Sequence, residues 1–237
     1  MSKRAIILAG GMGTRLRPYT VVLPKPLMPI GQCPILEVII RQLSRAGYNH
    51  ITLAVNHQAE IIKAFFQNGE KWQIKIDYSL EEKPLGTMGP LRLIKDLPDH
   101  FLIMNGDIFT DLNFSNFYDH HVESGKIFSI SSMLRSHKID YGVLESDSNC
   151  LLVGMKEKPE VAYQVSMGVY MVSNKILNYI PENAPFGFDS LMLKLLEINE
   201  GVSVVPFSGY WLDIGRPDDY EKAIDDFERF GDKFING

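Results

Sequence analysis

Leu8-Ala9-Gly10-Gly11-Met12-Gly13-Thr14-Arg15-Leu16-Arg17-Pro18 sets three glycines between a short apolar run and two arginines. Glycine takes up left-handed backbone and lets N–H groups approach a phosphate closely. With Arg15 and Arg17 just beyond, the segment suits a polyphosphate. Alone, it also fits a tight strand-to-helix turn with surface arginines. It lacks the Lys-Ser/Thr ending of a P-loop. Thr14-Arg15-Leu16 also stand where a dinucleotide fingerprint would lead to its third spaced glycine.

A second segment, Leu23-Pro24-Lys25-Pro26-Leu27-Met28-Pro29-Ile30, fixes the backbone around one lysine with three prolines. A rigidly presented lysine is a fixed cation beside phosphate; the plainer reading is an extended loop with a solvated lysine. Asp107 follows Phe101-Leu102-Ile103-Met104-Asn105-Gly106, just past the carboxyl end of an apolar run, where α/β sheets bind ligands. Asp213 follows a second apolar segment, Tyr210-Trp211-Leu212. Either aspartate alone also reads as a cap or turn residue.

The elements that must position these groups alternate. Residues 5–9 form a short apolar run typical of a central strand. Pro34 then opens a helix that Gly47 ends. Strand patterns at 50–55, 74–80 and 101–104 alternate with helical ones at 59–66 and 87–94. The second half is mixed: helices at 114–122, 189–198 and 218–230, with strands at 127–134, 142–145, 151–155 and 165–172. Asp218, Asp219 and Glu221 favour the last helix's N-terminus. This order predicts an α/β, Rossmann-like fold: a mixed, mainly parallel sheet with helices on both faces. With no repeat or linker, residues 1–237 read as a single domain.

Composition excludes several classes. At 45% hydrophobic and 22% charged the chain is an ordinary globular one. A net charge of -5 leaves no basic sheath for nucleic acid and no polybasic membrane patch. The first apolar run is too short for a signal peptide or a membrane span. The two cysteines, Cys33 and Cys150, show neither metal nor disulfide spacing, which points to ordinary thiols in a reducing, cytoplasmic setting. The histidines show no metal pattern; His120 and His121, being adjacent on a helix, point in different directions.

Gly-Gly-x-Gly-Thr-Arg-Leu-Arg-Pro, then Pro-Lys-Pro-Leu, then Pro34-Ile35-Leu36-Glu37, together resemble the sugar-1-phosphate nucleotidylyltransferases. The likeness continues to about residue 225 through Pro84-Leu85-Gly86-Thr87, Asn105-Gly106-Asp107, Tyr141-Gly142-Val143, Glu157-Lys158-Pro159, Gly168-Val169-Tyr170 and Trp211-Leu212-Asp213-Ile214-Gly215. It implies an NTP and a sugar 1-phosphate as substrates, an NDP-sugar as product, and a place in nucleotide-sugar or polysaccharide biosynthesis. Arg15, Lys25 and Asp107 would be the catalytic residues. Leu8, Gly10, Gly11, Gly13, Thr14, Arg15, Glu81, Gly86 and Thr87 would bind the nucleotide. Gly142, Glu157, Lys158 and Ser166 would bind the sugar phosphate. Asp107 and Asp213 would hold Mg²⁺, an ion suited to hard oxygen ligands.

Two departures bear on specificity. Many relatives carry Asn-Ala-Gly where this chain has Ser166-Met167-Gly168, which leaves the sugar open. Many uridylyl- and thymidylyltransferases carry glutamine at the position of Glu81. Glutamine offers a donor and an acceptor, but ionised glutamate only accepts, which suits the adjacent N1–H and N2–H₂ donors of guanine. The expectation is therefore GTP, in the manner of mannose- or heptose-1-phosphate guanylyltransferases. The rivals are a thymidylyl-, uridylyl- or cytidylyltransferase, and a silent sugar-nucleotide-binding module. Retention of Arg15, Lys25, Asp107, Lys158 and Asp213 speaks against the silent module. A glycosyltransferase fits poorly, since Asp107-Ile108-Phe109 lacks the second aspartate of an Asp-x-Asp motif. The chain's end leaves no expected room for a hexapeptide-repeat acyltransferase domain. A homo-oligomer on the exposed faces of the second-half strands would rest on family habit alone.

Overall fold

The computed structural model describes residues 3–56 and 58–236. Strand β1 (Lys3–Leu8) is buried along its middle, and its side chains alternate between two cores. Ala5 and Ile7 pack on one face and Ile6 on the other. Such two-sided burial explains why the run is continuously apolar. The glycine-rich loop follows, then a small ribbon, β2 (Pro29–Ile30) with β3 (Cys33–Pro34), and helix α1 (Ile35–Arg45). Strand β4 (Tyr48–Val55), α2 (Ala59–Phe66), β5 (Lys75–Leu80) and β6 (His100–Asn105) complete the first half.

The second half runs β7 (Ile108–Thr110), α3 (Phe114–Ser124), β8 (Phe128–Lys138), β9 (Gly142–Ser146), β10 (Leu152–Glu157) and β11 (Glu160–Ser173). It ends with α4 (Phe188–Glu197), β12 (Val202–Phe207), β13 (Trp211–Asp213) and α5 (Pro217–Asn236). The main sheet has the order β12-β8-β11-β6-β1-β4-β5. Within it β11 alone runs against its neighbours, β6 and β8. Helices α1, α2, α3 and α5 cover one face, through side chains such as Leu36, Ile62, Phe117 and Ala223. Leu191 and Leu195 of α4 cover the other. The expected mixed, mainly parallel sheet with helices on both faces is therefore what forms.

The topology fixes where a ligand can sit. From β1 the chain moves outward to β4 and β5, then returns to the opposite side of β1 as β6. Leu8, at the end of β1, pairs with Ala54 on one side and Asn105 on the other. The glycine-rich loop leaves the sheet at this reversal, and crevices at such switch points are where open α/β sheets bind ligands.

Two expectations need correction. Residues 87–94 do not form a regular helix; a 3₁₀ turn covers Gly89–Leu93. Pro90 has no N–H to give, and the Met88 and Gly89 N–H groups donate instead to the Phe186 carbonyl. Strand β12 is also absent from the strands expected of the sequence. Its Pro206 argues against a central strand, but β12 lies at the sheet edge, where proline is tolerated. Among the described residues no helix is long and apolar enough to cross a membrane.

Candidate functional site

The glycine-rich loop is held by ladder-like bonds at its base. Ala9 N–H donates to the Ala54 carbonyl at 2.8 Å, and Gly106 N–H donates to the Leu8 carbonyl at 3.0 Å. Gly13 has φ +59°, and a Cβ there would stand 2.9 Å from Thr20 Cγ2. The Thr20 hydroxyl donates to the Gly13 carbonyl at 2.7 Å, closing the turn over the 3₁₀ segment Thr14–Leu16. Gly11 by contrast faces open space, where a Cβ would meet no atom within 4 Å. One glycine thus makes the turn, and another leaves its backbone open to a ligand.

Beside this loop lies a cleft of about 330 Å³ lined by Leu8, Gly10, Gly11, Glu81, Gly86, Thr87 and Asp107, together with Asn56, Pro84 and Asn105. Sequence reasoning assigns no role to Asn56 or Asn105. Their signal lies in position, since both stand at the carboxyl ends of strands flanking β1. Glu81 is buried at one end of the cleft, and Leu85 N–H donates to its Oε2 at 3.1 Å. Burial pushes its carboxyl pKa upward, and the Leu85 N–H opposes that shift. Gly86, with φ +77°, passes under the Phe186 backbone, where a Cβ would lie 2.8 Å from the carbonyl oxygen. The Thr87 hydroxyl accepts from Phe188 N–H at 2.8 Å, so it anchors the start of α4 while lining the cleft.

The charged groups expected at the reacting phosphate converge from three directions. Pro24 and Pro26 frame a 3₁₀ turn over Lys25–Leu27, which buries Lys25 and sets its ammonium against Asp107 Oδ2 in an ion pair. Asp107 immediately precedes β7, and Asp213 ends β13. The antiparallel β7–β13 pair sets Asp213 opposite Ile108, and Ile214 N–H donates to the Asp107 carbonyl at 3.1 Å. Arg15 reaches the same place, its guanidinium nitrogens 3.5–3.6 Å from a Cβ position on Gly215. Burial and the neighbouring Asp107 charge push the Asp213 carboxyl pKa upward, while Lys25 and Arg15 pull it down. Asp107 Oδ1 is buried without a hydrogen-bond partner. An orphaned carboxylate oxygen facing a second, repelling carboxylate is an arrangement that a cation relieves.

None of the residues expected to hold the sugar lines that cleft, and only Gly142 and Glu157 are brought against each other. Gly142 and Glu157 face each other across the β9–β10 hairpin, where a Cβ on Gly142 would lie 3.1 Å from Glu157 Oε2. Lys158 follows in an exposed turn with φ +44°. Ser166 lies at a bulge of β11: its hydroxyl donates to the Tyr170 hydroxyl at 3.1 Å and accepts from Gly168 N–H at 3.3 Å.

Residues 4–229 match the nucleotidyl transferase family model. A UTP–glucose-1-phosphate uridylyltransferase of Synechocystis is 32% identical, over 93% of this chain and 62% of its own length. A mannose-1-phosphate guanyltransferase of Debaryomyces hansenii is 33% identical, over 92% of this chain and 62% of its own. This chain thus spans 62% of the length of these curated relatives. The structure of HddC from Yersinia pseudotuberculosis superposes with a TM-score of 0.73 at 26% identity, covering 95% of this chain and 99% of that one. A putative glucose-1-phosphate thymidylyltransferase from Bacillus anthracis shares the fold, with a TM-score of 0.78 at 22% identity over 98% and 99% of the two chains.

Proposed function

Because this chain belongs to the nucleotidyl transferase family, we propose that it transfers a nucleotidyl group from an NTP, preferably GTP, to a sugar 1-phosphate and releases pyrophosphate. The observation that carries this reading is the convergence of Lys25, Asp107, Asp213 and Arg15 beside an open glycine-rich loop. Phosphoryl-type transfer needs positioning and charge stabilisation more than a protein nucleophile.

The sheet order sets the expected direction of the substrates. Glu81 follows β5, the loop follows β1, and Asp107 follows β6. A nucleotide laid across these strand ends places its base by Glu81 and its phosphates over Gly10, Gly11 and Thr14. The sugar phosphate then comes from the side of Gly142, Glu157, Lys158 and Ser166. Its anionic phosphate oxygen attacks the α-phosphorus in line. The new P–O bond forms as the bond to the bridging α–β oxygen breaks, and pyrophosphate leaves with that electron pair. Arg15 and Lys25 stabilise the charge that develops. The buried, unpartnered Asp107 Oδ1 and the adjacent Asp213 fit Mg²⁺, which commonly takes one or two carboxylates and completes its shell with water and substrate phosphates. When bound, the ion would neutralise phosphate charge.

The base assignment rests on buried Glu81, an acceptor suited to guanine's two adjacent donors. A uridylyltransferase reading is favoured by the Synechocystis relative. Pyrophosphate release measured with GTP, UTP, dTTP, CTP and ATP, each against mannose, glucose, glucosamine and heptose 1-phosphates, separates the two. The expected result is Mg²⁺-dependent release, strongest with GTP. A strong pyrimidine preference overturns the base assignment, and sugar-nucleotide binding without any release overturns the reaction.

A further inference from the structure

Helix α5 starts four residues after Asp213, and its first turn carries Tyr220. Tyr220 is buried, and its hydroxyl donates to the Pro29 carbonyl at 2.6 Å across 191 residues of chain. Pro29 opens β2, four residues after Lys25. The residue opposite it in the small ribbon is Pro34, which has no N–H to offer. The Tyr220 hydroxyl supplies the donor that this facing residue cannot. Burial, with the nearby Tyr19 phenol adding to it, pushes the Tyr220 pKa upward, so the hydroxyl stays a donor. The Tyr220 ring meets the other cationic loop. Its centroid lies 5.7 Å from that of Tyr19, at an interplanar angle of 59°. Tyr19 precedes Thr20, whose hydroxyl clips that turn to the Gly13 carbonyl. One side chain therefore touches both the segment that presents Lys25 and the segment that follows Arg15.

Packing separates this contact from the docking of the helix. Ala223 and Phe234 of α5 sit in the core, and the Tyr210 hydroxyl donates to Asp226 at 2.7 Å. The helix is thus held without the bond to Pro29. What that bond fixes is the place of the Lys25 turn relative to Asp213 and the glycine-rich loop. Pro24, Pro26 and Pro29 stiffen the intervening backbone, so a shift at Pro29 is passed to Lys25 rather than absorbed. Resting on the nucleotidyl-transfer function proposed above, we propose that Tyr220 is a positioning residue that acts through Lys25, by holding the Lys25 segment in register with the glycine-rich loop and Asp213.

The test is a double-substitution cycle on the full chain. Steady-state kcat and KM are measured with GTP and an accepted sugar 1-phosphate for the unsubstituted protein, Tyr220→Phe, Lys25→Ala and the two together. Tyr220→Phe keeps the ring and removes only the hydroxyl, and melting temperatures serve as a folding control. We expect Tyr220→Phe to lower kcat about tenfold, as for loss of one hydrogen bond, with KM for the sugar 1-phosphate changed less than about twofold. In the Lys25→Ala background the same substitution should change kcat less than about twofold, because the group it positions is gone. A purely structural role costs the same factor in both backgrounds, and that result would overturn the assignment. So would an unchanged kcat in Tyr220→Phe. Calorimetric GTP affinities of the same four proteins repeat the cycle without turnover: Tyr220→Phe should weaken binding only where Lys25 is present, and equal weakening in both backgrounds contradicts the proposal. If the unsubstituted protein releases no pyrophosphate from any pair, the functional reading fails, and the calorimetric cycle still decides whether Tyr220 acts through Lys25. If that protein turns over while Tyr220→Phe matches it, the inference alone fails.

Discussion

Leu102 on β6 is fully buried, whereas Leu144 on the β9–β10 hairpin is 65% exposed, yet each lies within a few residues of a group proposed to meet substrate. The first supports the strand that leads to Asp107. The second sits beside Gly142. Around Leu102, neighbouring strands pair on both sides and the side chains fill two cores. The hairpin is a two-stranded sheet of its own, and Leu152 and Met155 are also exposed on it. Two-stranded ribbons are marginal by themselves and open locally at low cost. On the proposed reading, the groups that would meet the triphosphate are tied to the core of the fold, while Gly142 and Glu157, proposed to meet the sugar, lie on an exposed ribbon that can change without disturbing that core.

Substituting a lysine in each region should give the largest contrast. Lys25→Ala should lower kcat by about 100- to 1000-fold, as for loss of one preorganised charge-stabilising group. Lys156→Ala, which breaks the hairpin's exposed pair with Glu145, should leave pyrophosphate release unchanged. Comparable losses in both would erase the distinction. Truncating a leucine in each comes next. Leu102→Ala should lower the unfolding free energy by about 2–5 kcal/mol in urea titrations, and Leu144→Ala by less than about 0.5 kcal/mol.

The far end of the sheet offers a control that the cleft does not share. His121 of α3 is fully buried, with its ring nitrogens against His100 and Ser129. Burial, followed by the charges of His100 and His120, pushes its pKa down to about 4. A histidine depressed in the folded state contributes stability that is present above its unfolded value near 6.5 and lost as pH falls toward 4. Unfolding free energy should drop by roughly 2–3 kcal/mol across that window, and His121→Gln should flatten the dependence. A steeper slope in that variant would contradict the assignment. The smallest expected effect is at the base: Glu81→Gln should shift the GTP-to-UTP ratio of kcat/KM toward UTP by about tenfold, the worth of one altered hydrogen bond.

The same contrast explains what the amino-acid sequence discloses. Residues 5–9 and 101–104 are legible as strands because burial on both faces demands unbroken apolar runs. Gly13, Lys25 and Asp107 are legible because turn, rigidity and carboxylate each leave a residue-type signature. What brings Asp107 to Asp213 is not legible: β7 and β13 are three residues each and far apart in the chain. The 3₁₀ turn at Gly89–Leu93 is hidden because its setting is tertiary: the Met88 and Gly89 N–H groups bond a carbonyl from residue 186, nearly a hundred residues on.

The short β7–β13 pair is central to the proposed function, because it brings together two aspartates that lie far apart in the chain. The most direct test is the Mg²⁺-dependent rate of pyrophosphate release with GTP and an accepted sugar 1-phosphate, for the unsubstituted protein, Asp107→Asn and Asp213→Asn. Near-complete loss in each variant, with melting temperatures preserved, is the expected result. Near-normal rates in both would contradict it.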